Sequence, residues 1–140
     1  MNKIAIASLA SGLIAQAIKT FIEFVRTGAL HLPTMFYTGG MPSSHTALVT
    51  TLTIGVGLQS GISSSLFSVT LIFSLYFIFE ATGLRQEVGK QAKVLNELVD
   101  ELLARRHFNR RRLKELVGHT WGEVFVGLLI GVAVALLSYT

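Results

Sequence analysis

The chain of 140 residues contains no cysteine, which excludes a disulfide framework and any thiolate-held metal while leaving the redox compartment open. Charge is scarce too. Asp, Glu, Lys and Arg make up 14% of the residues against 51% hydrophobic, with a mean hydropathy of +0.58, a balance foreign to a water-soluble domain of this size. The features of a cleaved leader are missing: Lys3 is the only charge ahead of a long apolar run, and no clear small-residue cleavage site precedes Lys19. That run is therefore expected to stay as a span. Metal-ligand spacing is also sparse. Of His45, His119, Glu80 and Glu123, only His119 and Glu123 share a helical i, i+4 register, so no metal site and no cofactor are expected.

Four apolar stretches fill much of the chain, at residues 4–25, 46–62, 63–79 and 124–137. The first is long enough for the ~20 residues a transmembrane helix needs, and the others are short. Four such stretches with so little else to cover them favour a membrane over a soluble core. The expected architecture is all-α: one membrane domain over 1–140, a bundle of about four spans (4–25, 46–62, 63–82 and 120–138), and a polar segment at 85–117.

That polar segment fixes the expected orientation. Between Arg85 and Glu115 lie nine basic residues, Arg85, Lys90, Lys93, Arg105, Arg106, Arg110, Arg111, Arg112 and Lys114, against five acidic ones. A short loop so rich in Lys and Arg stays cytoplasmic, which sets both termini outside. Arg110–Arg112 suit contact with anionic headgroups of membrane lipids. Nucleic acid is not an expected partner, because no aromatic stacking platform accompanies the basic run. Within the segment Val88, Ala92, Leu95, Val99 and Leu102 recur at helical spacing, with Leu98 and Leu103 widening the stripe; this is one face of an amphipathic helix, packed on the bundle or lying in the interface. Gly118 stands where a left-handed cap would end a further short helix.

Two junctions carry the chemistry. Gly39-Gly40-Met41-Pro42-Ser43-Ser44-His45 leads into the second apolar run, and Gly118-His119-Thr120-Trp121-Gly122-Glu123 leads into the fourth. Each sets backbone N–H groups, hydroxyls and an imidazole at a helix start, a combination suited to a phosphate ester. With the expected topology, Lys19, Glu23 and Arg26 close span one, His45 opens span two, Glu80 and Arg85 close span three, and His119 and Glu123 open span four. All fall at one membrane face. Plainer roles exist: Thr120 to Glu123 fits a capping box, Ser43 and Ser44 fit an N-cap, and Lys19 fits a snorkelling lysine. His31 has no supporting neighbours and reads as a loop residue. Gly127 and Gly131 form a G-x-x-x-G pair suited to close helix packing, either within the chain or in a homo-oligomer.

The junction residues resemble a known superfamily. Pro42-Ser43-Ser44-His45 is similar to the Pro-Ser-Gly-His motif of type 2 phosphatidic acid phosphatases and vanadium haloperoxidases. Lys19-x6-Arg26 is similar to that superfamily's first motif and His119-x3-Glu123 to the close of its third. The resemblance is nearer still to the divergent membrane branch known as acid phosphatase/vanadium-dependent haloperoxidase-related proteins. That branch carries Gly-Gly-Met-Pro-Ser-Ser-His, then Gly-x-Gln-Ala-x-x-Leu-Asn (Gly89 to Asn96), then Gly-His-Thr-x-x-Glu-Val (Gly118 to Val124). It covers nearly the whole chain.

The resemblance implies a phosphohydrolase. His119 would attack phosphorus, Glu123 would orient its imidazole, and His45 would protonate the leaving oxygen. Lys19, Arg26, Ser43, Ser44 and the Gly39-Gly40 backbone would hold the phosphoryl oxygens. The Ser-Arg expected ahead of the third-motif histidine is absent, Leu113 standing in the arginine's place, and Arg85 is the nearest topological substitute. The expected substrate is a lipid phosphate monoester or pyrophosphate at the inner-leaflet surface. The rival expectation is a non-catalytic membrane protein that binds anionic headgroups or a protein partner.

Overall fold

The structure, a computed structural model, describes residues 2–29, 40–103 and 118–139, and for residues 84, 85 and 101–103 the backbone alone. The described elements are five helices: α1 (Lys3–Thr27), α2 (Ser44–Ser60), α3 (Ser65–Thr82), α4 (Leu84–Leu103) and α5 (Trp121–Tyr139). Their starts are set by short polar side chains that take up N–H groups the first turn leaves unpaired. Asn2 Oδ1 accepts from Ile4 N at 3.2 Å, Ser43 Oγ from Thr46 N at 3.3 Å, and Ser64 Oγ from Phe67 N at 3.1 Å. Between α2 and α3 the chain turns in the few residues from Gly61 to Ser64, closed by Ser64 N donating to Gly61 O at 3.2 Å.

Small residues hold the bundle together. On α1, Ile4, Ala7, Ser8, Ser11, Ala15 and Lys19 are buried, a single stripe at spacings of three and four. Helix α2 is central, packing on α1, α3 and α5, while α1 also meets α5. Helix α5 approaches α2 closely at two glycines. A Cβ at Gly127 would stand 2.4 Å from the Ser43 carbonyl oxygen, and one at Gly131 would stand 2.6 Å from that of Ala47. The G-x-x-x-G pair is thus spent inside the chain. Hydroxyls add bonds between helices: Thr51 Oγ1 donates to Gly131 O at 3.0 Å, and Thr53 Oγ1 pairs with Ser74 Oγ at 2.8 Å.

Large apolar side chains lie outside. Leu13, Ile72, Phe79 and Leu137 are among those well over half exposed, a continuous exterior that suits lipid and not water. By length and composition three stretches can cross a membrane: Lys3–Thr27, the helical run Ser65–Asp100 and Trp121–Tyr139. The expected second span, α2, has 17 residues. It extends about 26 Å at 1.5 Å per residue, somewhat less than the ~30 Å of a hydrocarbon core, and it is walled by its three neighbours.

Helix α4 forms over the expected amphipathic stretch, with the larger residues of its apolar stripe turned outward, as an interfacial helix would have them, and not onto the bundle. Gly89, Ala92 and Asn96 are buried, whereas Val88, Leu95, Leu98 and Val99 are all more than 40% exposed. Its small residues face inward and its larger apolar ones outward, the same arrangement as in the bundle. Among the described helices α4 packs against α3 alone.

Candidate active site

His119 precedes α5 and is 2% exposed. Its Nδ1 lies 2.9 Å from Glu123 Oε2. An ionised carboxylate can only accept, so this contact suits a proton on Nδ1, and in the neutral ring that tautomer leaves the lone pair on Nε2. That Nε2 is buried and without a hydrogen-bond partner among the described residues. A buried polar atom without a partner is costly, and beside a second imidazole it is a candidate to meet a reacting atom.

The same carboxylate caps α5. Glu123 Oε2 also accepts from Thr120 N at 3.2 Å, and Thr120 Oγ1 accepts from Glu123 N at 3.3 Å. The capping box and the His119 contact therefore coexist on one oxygen, and the rigid helix start aims the carboxylate at the ring. Two main-chain bonds pin the surrounding loops. His119 N donates to Ala81 O in the last turn of α3 at 2.9 Å, and Ser43 N donates to Glu123 O at 3.0 Å. Each histidine junction is thus tied to a helix from elsewhere in the chain.

The second imidazole is close. The rings of His45 and His119 are 6.3 Å apart between centroids and inclined at 58°. At that separation the two imidazoles stand side by side, close enough for both to reach one phosphoryl group bound beside them through contacts of ~3 Å. His45 is exposed in the first turn of α2, whose N–H end carries the positive pole of the helix dipole. Ser43 is fully buried; its hydroxyl is engaged in the cap and by Thr46 Oγ1 at 3.0 Å. Ser44 is half-buried as the first residue of α2.

Lys19 brings the cation. It is 7% exposed on the inner stripe of α1, and its Cε passes 3.2 Å from the point where Gly40 would carry a Cβ. Gly40 has a φ of +84°, so the turn needs glycine both for its conformation and for the room it gives the lysine. Gly118 likewise takes a positive φ, +101°; the short helix it is expected to close lies outside the described residues.

Of the remaining sequence candidates, Arg26 is placed further out, and the others fall, in whole or in side chain, outside what the structure describes. Arg26 is exposed in the last turn of α1, on the face of Lys19 but about 10 Å further along the axis at 1.5 Å per residue. Arg85 lies in the first turn of α4, and its side chain is outside what the structure describes. Gly39, His31 and Arg110–Arg112 fall outside the described residues altogether. Sequence reasoning missed Gln86, whose Nε2 donates to His119 O at 2.7 Å. A side chain bonded to a main-chain carbonyl 33 residues away leaves no spacing to read.

Comparison with known proteins gives a consistent picture. A family model described as the divergent PAP2 family matches residues 1–134. The chain is similar to Uncharacterized membrane protein YuiD of Bacillus subtilis (strain 168), at 42% identity over 143 residues, covering 94% of this chain and 90% of that protein. No solved structure matches.

Proposed function

The chain belongs to the divergent PAP2 family, and on that premise we propose that it is a membrane phosphohydrolase acting on a lipid phosphate monoester or pyrophosphate. One observation carries the reading. His119 Nε2 is buried without a hydrogen-bond partner among the described residues while Nδ1 lies against Glu123, and a second imidazole, that of His45, stands beside it at 6.3 Å between ring centroids.

The reaction runs in two balanced steps. His119 Nε2 attacks phosphorus, so that an N–P bond forms as the ester P–O bond breaks, and His45 gives its proton to the leaving oxygen. Glu123 stabilises the charge that develops on the imidazole. Water then attacks the phosphohistidine and His45 takes its proton. The N–P bond breaks and inorganic phosphate leaves. Lys19, the α2 N-terminus, Gly40, Ser43 and Ser44 hold the equatorial oxygens, with Arg26 and Arg85 as outer cations. Phosphoryl transfer asks mainly for such positioning and charge stabilisation. The active face is cytoplasmic, on the side of the basic 85–117 segment, and the chain crosses the membrane several times.

The test is turnover of a panel of lipid phosphates by purified protein in detergent. Wild type should release phosphate and be inhibited by vanadate, which mimics five-coordinate phosphorus, and His119→Ala should abolish release while remaining folded. A wild type that releases none, or a His119→Ala variant that retains turnover, overturns the catalytic assignment and leaves a headgroup-binding membrane protein.

A further inference from the structure

We propose that Gln86 is a positioning residue for the His119 imidazole, acting through the main-chain carbonyl of His119 and making the ring's placement depend on how α4 leaves α3. The inference rests on the reading of His119 as nucleophile.

His119 lies outside any helix, so no regular ladder fixes its backbone. Three bonds do so instead. The N–H is given to Ala81 O at 2.9 Å, which anchors the peptide plane before Cα. The C=O receives Gln86 Nε2 at 2.7 Å, which anchors the plane after it. With both planes held, φ and ψ are fixed and the Cα–Cβ bond has one direction. Glu123, at 2.9 Å from Nδ1, then sets the rotation of the ring about that bond. Removing the Gln86 bond frees ψ and leaves a carbonyl of a buried residue without its amide donor.

Gln86 reaches that carbonyl because of the break between the two helices. Gly83 N still bonds to Phe79 O at 2.8 Å as in α3, while Gly83 O receives Gln86 N at 3.0 Å and Glu87 N at 3.2 Å. The first turn of α4 is therefore built on the Gly83 carbonyl, three residues before the amide that holds His119. Because α4 packs on no described helix besides α3, the angle at Gly83 governs that reach. A Cβ at Gly83 would stand 3.1 Å from Phe79 O, so a substitution there presses directly on the junction.

The experiment compares Gln86→Met, which keeps length and loses the donor, with Gln86→Lys, which restores one. It uses full-length protein in detergent micelles. Two readouts are taken: steady-state phosphate release from a lipid phosphate, and the ring signals of His119 in 15N-histidine-labelled protein, assigned with His119→Ala. For Gln86→Met the expected result is about a tenfold fall in kcat with KM nearly unchanged, since a misplacement near 1 Å costs up to ~100-fold. The His119 ring signals should move from a single Nδ1–H tautomer to an averaged state, and Gln86→Lys should recover both. Unchanged ring signals in Gln86→Met, or no recovery in Gln86→Lys, overturn the proposal. If wild type releases no phosphate but Gln86→Met still alters the His119 signals, the positioning stands and the phosphohydrolase reading falls. Should Gln86→Met fail to fold, Gly83→Ala is read on the same signals; a shift supports the coupling and its absence refutes it.

Discussion

Gly127→Ala is a sharp test of the packing that brings the two histidine junctions together. The added Cβ would stand 2.4 Å from the Ser43 carbonyl oxygen and 3.1 Å from Thr46 Cβ. Both neighbours are buried and one is main chain, so α5 must retreat by about 1 Å to reach ordinary contact in so close-packed an interior. The Ser43 N to Glu123 O bond, now 3.0 Å, would open toward about 4 Å, beyond hydrogen-bond range. Overpacking costs about 1–3 kcal/mol, and the lost bond adds about 1 kcal/mol. Alanine returns about 1 kcal/mol in helix propensity, leaving a net loss of roughly 1–3 kcal/mol. Gly122→Ala is the control on the same helix. Its Cβ would meet only Thr120 Oγ1, at 4.0 Å, so the propensity gain stands alone and the variant should be neutral or up to about 1 kcal/mol more stable. Equilibrium unfolding in mixed micelles with increasing sodium dodecyl sulfate, followed by far-UV circular dichroism, measures both. If Gly127→Ala is as stable as Gly122→Ala, the α2–α5 contact is not the one described. Loss of self-association without loss of stability would instead put Gly127 between copies of the chain.

Three further outcomes are expected. Glu123→Gln keeps an oxygen for the Thr120 cap but removes the charge beside His119, so turnover should fall by about 100-fold while the unfolding midpoint stays near wild type; an equal loss of both would make Glu123 a cap alone. His45→Ala should slow alkyl phosphate hydrolysis far more than aryl phosphate hydrolysis, because an aryl oxide leaves without a proton; equal losses on the two esters would remove His45 from the acid role. Since the chain has no native cysteine, single cysteines at positions 2, 63 and 108 can be labelled from outside with an impermeant thiol reagent. Positions 2 and 63 should react and 108 should not, and the reverse pattern would invert the proposed orientation.

The helices were legible because apolar runs and cap residues are local signals. Asn2, Ser43 and Ser64 start α1, α2 and α3, and the ends of the expected spans differ from the helices by a few residues. What the pattern could not give was the direction in which each helix faces. In water a stripe such as Val88, Leu95 and Val99 marks the buried side. Here those residues are exposed, and Gly89, Ala92 and Asn96 are buried. Helix α4 carries Glu87, Lys90, Lys93, Glu97 and Asp100, and its exposed apolar residues suit the membrane interface. Along the apolar α1 and α5, by contrast, large side chains gain nothing from leaving lipid, and close approach by small residues decides the interior. The stripe of Ala7, Ser11 and Ala15 on α1 and that of Gly127, Gly131 and Ala135 on α5 obey the same rule.

The site was legible to a different depth for side chains and for main chain. His45, His119 and Lys19 announced themselves as costly polar groups beside apolar helices, and the structure brings all three to one end of the bundle. Thr120 and Glu123 suggested a capping box, which alone would have made the carboxylate a structural device. The geometry removes that choice: Oε2 serves Thr120 N and His119 Nδ1 together, so the cap is the means by which the carboxylate is aimed. The bonds that fix His119 itself had no sequence signature. Ala81 takes part through its carbonyl, Ser43 through its N–H, and Gln86 by touching main chain, and any residue type can offer a peptide group. Arg26 illustrates the converse, since a spacing of seven places it on the Lys19 face yet two turns beyond Lys19 along α1. Helical register determines which face a residue occupies. Only the packing of α1 beyond Lys19 determines whether that face still borders the site, and among the described residues none of α1 after Lys19 is buried.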